Sequence, residues 1–331
     1  MAQGNIRAVG WKTEEVFVES GCLSDQNFIA STCRHQGVRP HMEDEILAVH
    51  DISPECQHAT TGEHFCVDFF AVCDGHGGGT VSKAAVKHLP DVMDTYLQFL
   101  DIDLCTVLPK VFHRTDDVIK FEHPEAWMRS GSTVIGLARR DNFLYVANAG
   151  DSRAVSSIGG YAVALSKDMK PSDPEENARI LSQGGRIITR KYSHRRVKYL
   201  VDYEEKVLLN VSGGFGDGVF KKGARENWIS QATPEMMKLA ITTQLEFVIL
   251  ASDGLWDVFT NEEAVKFVRN RMRIGCPPEE LATQLVNYAV NHLHTQDNVS
   301  AIVYLNIQNR DYSALLDQVR YWNPIVEDIT G

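Results

Sequence analysis

Phe69-Phe70-Ala71-Val72-Cys73-Asp74-Gly75-His76-Gly77-Gly78-Gly79 is the stretch on which the reading of this chain turns. An apolar run of strand length ends on a carboxylate and opens into a glycine-rich turn. The arrangement recurs. Phe247–Ala251 runs through Ser252 into Asp253-Gly254, and Leu144–Ala147 runs through Asn148-Ala149-Gly150 into Asp151. Asp297-Asn298 precedes the Val299–Val303 run, and Glu43-Asp44 precedes Glu45–Val49. Singly, each is ordinary turn chemistry, since Asp-Gly and strand-end Asp are common. Five in one chain ask for more. If core strands bring them to one edge, like charges crowd together, and a cation among them relieves the repulsion. A ligand set made only of oxygen selects a hard ion, Mg²⁺ or Mn²⁺. Gly75, lacking a Cβ, lets a backbone carbonyl approach such an ion. Two ions a few ångströms apart ready a water for attack and clamp a phosphoryl group.

Two further side chains fit that chemistry. His76 sits beside the acidic turn on flexible backbone, where a histidine can give a proton to a leaving oxygen. Arg39 lies four residues before Glu43, and its guanidinium fork suits a phosphate; a plain salt bridge to a carboxylate is the alternative. His41 is a weaker candidate with a surface role.

The whole composition sets bounds. The 331 residues carry a net charge of -11, which argues against a life on a nucleic-acid backbone but leaves a local phosphate site open. Seven cysteines occur with no Cys-x-x-Cys pair, a spacing that fits neither a disulfide framework nor a zinc site. Cys66 and Cys73 fall in apolar runs and read as small buried hydrophobes. Reduced thiols, no apolar leader and no long apolar span point to a cytoplasmic or nuclear address.

Short strand-like runs cover Glu45–Val49, Phe65–Cys73, Thr133–Ala138, Phe143–Ala147, Ala154–Ile158, Tyr161–Leu165, Phe247–Ala251 and Ser300–Leu305. Helical spacing covers Thr80–Leu89, Leu104–Ile119, Asn261–Arg273 and Pro278–Leu293. Many strands are adjacent with short connections, which favours antiparallel pairing, sheet on sheet, with helices outside. Ile187–Val207 differs: basic residues including Arg190, Lys191, His194, Arg195 and Lys198 precede an acidic patch at Asp202, Glu204 and Glu205. It reads either as a solvated excursion or as a basic flap that meets an acidic or phosphorylated partner.

In order along the chain stand Gly37-Val38-Arg39-Pro40-His41-Met42-Glu43-Asp44, Asp74-Gly75-His76-Gly77-Gly78, Gly131-Ser132-Thr133 and Asn148-Ala149-Gly150-Asp151-Ser152-Arg153. Glu176-Asn177-Ala178-Arg179-Ile180 with Gly184-Gly185, Ser252-Asp253-Gly254-Leu255-Trp256-Asp257-Val258 and Asp297-Asn298 follow. This ordered set resembles the metal-dependent protein serine/threonine phosphatases of type 2C. The resemblance implies an α+β fold, a four-layer α-β-β-α sandwich of two mainly antiparallel sheets flanked by helices. It implies a catalytic domain over residues 28–310 with a flap at about 168–225, after an N-terminal extension (1–27) and before a C-terminal tail (311–331). It implies two Mg²⁺ or Mn²⁺ ions. Asp74 would bridge them, the Gly75 carbonyl and Glu43 would serve one, and Asp253 and Asp297 the other. Asp44 would orient the attacking water, Arg39 would hold the substrate phosphate, and His76 would protonate the leaving oxygen. Asp151 and Asp257 match a weaker third ion site. Phosphorylated proteins would be the substrates, and the chain would act as a monomer in signalling. Met169 stands where the family usually has His, Gly213 where it has Arg, and Glu246 where Asp is frequent. The departures at Met169 and Gly213 raise the alternative of a catalytically impaired pseudophosphatase that works as a scaffold.

Overall fold

A computed structural model describes residues 17–25, 27–52, 62, 65–99, 103–192, 196–204, 206–307 and 312–321. Cys56, His194, Arg195, Glu205 and the outermost residues of both termini lie outside the described residues. The chain forms two compact units: 1–40, 154–165 and 241–331 in one, 41–153 and 166–240 in the other. Among the described residues, no helix is long and apolar enough to cross a membrane.

The unit built on residues 41–153 and 166–240 carries a five-stranded sheet in the order Glu235–Ala240, Phe143–Ala149, Val134–Arg140, Val67–Cys73, Glu45–Val49, each neighbour antiparallel. All seven residues of Val67–Cys73 are buried. Its apolar run therefore reads without alternation, as a fully covered strand should. Helices Thr80–Phe99 and Leu104–Glu122 pack on this sheet through Val81, Leu89, Met93, Leu108 and Phe112. Each such fully buried aliphatic or aromatic side chain stabilises the unit by about 1.5–3 kcal/mol. A short ribbon, Phe215–Gly216 against Gly131–Ser132 against Gly75–His76, continues from the end of the Val67–Cys73 strand.

The segment expected as a flap contains a three-stranded sheet, Arg186–Lys191, Arg196–Val201 and Leu208–Leu209, in the same unit. It has its own small core of Ile180, Leu200, Leu209, Val211, Phe220 and Ile229. The helix Pro174–Ser182 joins that core. Asp173 caps its start by accepting from the Glu175 and Glu176 amides.

The other unit holds a six-stranded sheet in the order Val18–Ser24, Phe28–His35, Val299–Asn306, Leu245–Ala251, Arg153–Ile158, Tyr161–Ala164. Helices Asn261–Arg273, Leu281–Asn291 and Tyr312–Tyr321 cover it. A capping box between Thr260 and Glu263 starts the first of these. Two elements come from segments assigned by sequence to the termini: the edge strand Val18–Ser24, and Tyr312–Tyr321, which buries Leu315 and Val319. The fold class is α+β, with mainly antiparallel sheets and flanking helices.

Glu246 is fully buried in this unit. It accepts from Arg269 Nε at 2.9 Å and Ser157 Oγ at 2.6 Å. The extra methylene relative to aspartate gives the carboxylate the reach to meet the equally buried Arg269. A charge in that position needs such partners.

Candidate active site

One step beyond the last paired residues, Glu45 and Cys73, come Asp44 and Asp74. The hairpin register thus sets Glu43-Asp44 alongside Asp74-Gly75. Backbone approach there is very close: a Cβ on Gly75 would collide with the Glu43 carbonyl and meet Ser82 Oγ at 2.8 Å. Ser82 Oγ donates to the same Glu43 carbonyl at 2.5 Å. Asp74 is fixed from its other side by Thr133, whose amide donates to the Asp74 carbonyl at 2.9 Å. Thr133 Oγ1 in turn bonds Ser152 Oγ at 2.6 Å. The Gly131-Ser132-Thr133 and Asp151-Ser152 motifs therefore hold the Asp74 turn in place.

His76 Nε2 lies 2.9 and 3.0 Å from the two carboxylate oxygens of Asp217. A side chain on Gly131 would occupy the place of this pair. Burial alone would lower the His76 pKa, but the Asp217 charge and hydrogen bond, with Asp151 and Glu43 further off, outweigh it and raise the value. His76 consequently favours the imidazolium, the form a proton donor needs. Asp217 is itself buried and takes a left-handed backbone conformation, φ 53°. Sequence reasoning gave it no role. It lies 141 residues from His76 and follows no apolar run, and only the Gly-Asp pair at 216–217 marked a special turn.

Asp151, matched by sequence to a third ion, is buried and paired with Lys170 Nζ at 3.1 Å. Burial raises its pKa, Lys170 opposes the rise, and Asp168 adds to it. Asp168 is gripped by Arg153 through two bonds of 2.8 Å. A lysine ammonium thus already supplies positive charge at Asp151.

In the other unit, Ser252 leads from the Leu245–Ala251 strand into the short helix Asp253–Trp256. The Ser252 amide donates to the Ser300 carbonyl, and Ser252 Oγ accepts from the Ser300 amide, each at 3.0 Å. These bonds align the turn carrying Asp253 with the start of the Val299–Asn306 strand, which Asp297 precedes. Thr295 Oγ1 donates to the Gly254 carbonyl at 2.8 Å. Asp297 accepts from Arg39 NH2 and from the Asn298 amide. Burial raises the Asp297 pKa, Arg39 pulls it down, and Asp257 pushes it up. Arg39, the expected phosphate ligand, therefore rests on a predicted metal ligand, as its salt-bridge alternative allowed. Within the two units, then, Glu43, Asp44, Asp74, Gly75, His76 and Asp151 belong to one group, and Arg39, Asp253, Asp257 and Asp297 to the other.

The departures at Met169 and Gly213 meet in space. A Cβ on Gly213 would lie 2.5 Å from Met169 Sδ. The Ser212 amide donates to the Met169 carbonyl, and the Met169 amide to the Gly150 carbonyl, each at 2.9 Å. Gly213 thus leaves the room that the Met169 side chain fills. Gly213→Arg is expected to destabilise the chain, and Met169→Ala to relieve part of that loss. The double-mutant cycle in urea should give a coupling of about 1 kcal/mol; additive losses would show that the two positions are independent.

A family model described as protein phosphatase 2C matches residues 30–299. Protein phosphatase 2C homolog 3 of Schizosaccharomyces pombe is 34% identical over 287 residues, covering 84% of this chain and 64% of that protein. A probable protein phosphatase 2C of Caenorhabditis elegans is 31% identical over 275 residues, covering 81% and 70%. This chain thus spans about two thirds of the length of these relatives. Among solved structures, the serine-threonine phosphatase 2C of Toxoplasma gondii shares the fold, with a TM-score of 0.69 and 21% identity, covering 89% of this chain and 100% of that one. The motifs, the acidic strand ends and these likenesses agree: the chain belongs to the protein phosphatase 2C family.

Proposed function

We propose that the chain is a metal-dependent protein serine/threonine phosphatase that hydrolyses phosphoserine and phosphothreonine with water at a two-ion centre. The observation that carries this reading is the built turn at Glu43-Asp44 and Asp74-Gly75, with a charged-partner histidine, His76, two residues on. The donor set fits hard cations: carboxylates of Glu43, Asp74, Asp253 and Asp297, and the Gly75 carbonyl, all oxygen. These residues would hold the ions, Glu43 and Gly75 serving one, Asp253 and Asp297 the other, and Asp74 both. Bound Mg²⁺ or Mn²⁺ would supply Lewis-acid stabilisation of the phosphoryl oxygens and a nucleophile at neutral pH.

The chain's own residues do the rest. Asp44, buried beside the turn, orients the attacking water. Arg39, which rests on Asp297, would hold the substrate phosphate through its guanidinium fork. With Nε2 held by Asp217, His76 would give the proton on Nδ1 to the leaving serine or threonine oxygen. The basic hairpin Arg186–Lys191 with Arg196–Val201 meets acidic or phosphorylated segments of the substrate. A weaker third ion at Asp151 and Asp257 would have to displace Lys170 from Asp151. The protein works as a monomer in cytoplasmic or nuclear signalling. The scaffold reading rested on Met169 and Gly213, which pack against one another.

Hydrolysis of an aryl phosphate and a phosphothreonine peptide across Mn²⁺ and Mg²⁺ titrations, against a chelator blank, tests the proposal. Metal-dependent turnover of both supports it. Folded protein that hydrolyses neither at saturating metal is a scaffold. Asp217→Asn is expected to lower kcat on the phosphothreonine peptide by about 10²-fold while sparing the aryl phosphate, whose leaving group needs no proton. Equal losses on the two substrates would make the His76–Asp217 pair structural.

A further inference from the structure

A second group of metal-ligating side chains lies at the other end of the Val67–Cys73 strand from Asp74. One step past the last pair in that direction, Val49 and Phe69, come His50 and Asp68. Cys66 joins them from the residue just before the strand. His50 Nδ1 lies 2.6 Å from Asp68 Oδ1, Cys66 Sγ lies 3.4 Å from the same oxygen, and Sγ and Nδ1 are 4.0 Å apart. Among the described residues, this is the group of His, Cys, Asp or Glu whose ligand atoms all lie within 4.8 Å of one another.

We propose that His50 Nδ1, Cys66 Sγ and Asp68 Oδ1 form a binding site for a zinc-class divalent ion, separate from the hard-ion centre. Six residue steps along extended strand, roughly 20 Å, separate Asp68 from Asp74. The geometry is close to what zinc needs. Tetrahedral ligands at zinc–sulfur, zinc–nitrogen and zinc–oxygen bond lengths stand about 3.4–3.6 Å from one another. The three observed separations lie within about 1 Å of those values, so small rotamer shifts admit the ion. Thiolate, imidazole and carboxylate together favour zinc over Mg²⁺ or Mn²⁺. His50 is 39% exposed, which leaves the open coordination position toward water.

The surroundings support the ligands. Asp68 is fully buried, with Arg139 NH1 on its Oδ2 at 3.1 Å, so Oδ1 is the oxygen presented to Cys66 and His50. The Asp51 amide donates to Oδ1 at 3.2 Å and helps set the carboxylate plane. Burial, then the charges of Asp68 and Asp51, raise the Cys66 pKa, so without an ion the thiol stays protonated and unreactive. Binding would release the thiol proton, and His50 would present the Nδ1 lone pair to the ion. The ion would then tie the two ends of the connection between the Glu45–Val49 and Val67–Cys73 strands. The cysteine spacing gave no sign of this, because the ligands are three residue types brought together across a hairpin.

The test uses the full chain, stripped with chelator and then saturated with Mg²⁺ to fill the hard-ion sites. Co²⁺ is titrated in, and sulfur-to-cobalt charge-transfer absorption is read, followed by displacement with Zn²⁺. The expected result is a thiolate band that Zn²⁺ abolishes, that is lost in Cys66→Ser, and that needs about 10–100-fold more Co²⁺ in His50→Ala. Mn²⁺-dependent aryl phosphate turnover is retained in both variants. No thiolate band in the wild type, or a band that survives Cys66→Ser, would overturn the proposal. Loss of Mn²⁺-dependent turnover in both variants would overturn the separation of the two sites.

Discussion

Asp74→Asn is expected to lower turnover of the phosphothreonine peptide and of the aryl phosphate alike, by about 10³-fold or more. Loss of one preorganised electrostatic contact at a reacting centre reduces kcat about 10²–10³-fold, and under the proposed two-ion centre Asp74 would make two such contacts. Both substrates suffer equally because the defect lies in the nucleophile and the phosphoryl clamp, not in leaving-group protonation. The fold should survive. Asparagine keeps the shape of aspartate, and the turn is held through backbone by Thr133. Crowding among Glu43, Asp44 and Asp74 falls when one charge goes, so the metal-free variant should unfold no earlier than the wild type. Added Mn²⁺ is the discriminating variable. A ligand at about 100 times its Kd stabilises the native state by about 2.7 kcal/mol. The wild-type Tm should rise accordingly and that of the variant should not. An Asp74→Asn protein that keeps both turnover and the Mn²⁺-induced rise in Tm would remove Asp74 from the centre.

The acidic strand ends were legible in the sequence for a physical reason. A carboxylate at the end of a buried apolar strand leaves a local mark, and the mark repeats at Asp74, Asp253 and Asp297. Strand Glu45–Val49 and helix Asn261–Arg273 read from sequence with the bounds they have in the structure. Thr80–Phe99 read only as far as Leu89, because proline removes a helix donor; the helix runs on through Pro90. Glu235–Ala240 is built of Glu, Met, Met, Lys, Leu and Ala, all good helix formers. It is a strand because it pairs with Phe143–Ala149 along its whole length, and tertiary context overrides propensity. Phe28–His35 mixes serine, threonine and cysteine with apolar residues, and its partner Val299–Asn306 comes from the far end of the chain. Asp217 was hidden for a related reason. Its role exists only once the Phe215–Gly216 ribbon pairs with Gly131–Ser132 and brings it to His76.

The same ribbon makes Asp116 the residue whose loss should hurt stability most. Asp116 and Lys221 are both buried, and Lys221 Nζ donates to Asp116 Oδ2 at 2.8 Å and to the Gly214 carbonyl at 2.9 Å. The other oxygen, Oδ1, accepts from Trp127 Nε1 and from the Gly216 amide, each at 2.8 Å. The ammonium also lies 5.7 Å from the Trp127 ring and 5.2 Å from the Trp228 ring. Asp116→Ala would strand a buried cation and leave two N–H groups unsatisfied. Breaking a buried pair from one side costs about 3–5 kcal/mol, a large part of the 5–15 kcal/mol that holds a typical domain. Removing both charges is different, because a well-packed apolar replacement of a buried pair is often neutral. Asp116→Asn with Lys221→Met keeps an acceptor for Trp127 and Gly216 and fills the lysine's volume. It should recover most of the loss in urea denaturation. Gly216 is the neighbour of Asp217, so the network also positions the carboxylate that holds His76. Asp116→Ala should therefore lower phosphothreonine turnover more than aryl phosphate turnover under conditions where the protein remains folded, and the double variant should restore the ratio. If Asp116→Ala unfolds at the wild-type urea concentration, the Lys221 charge is being met by something other than Asp116.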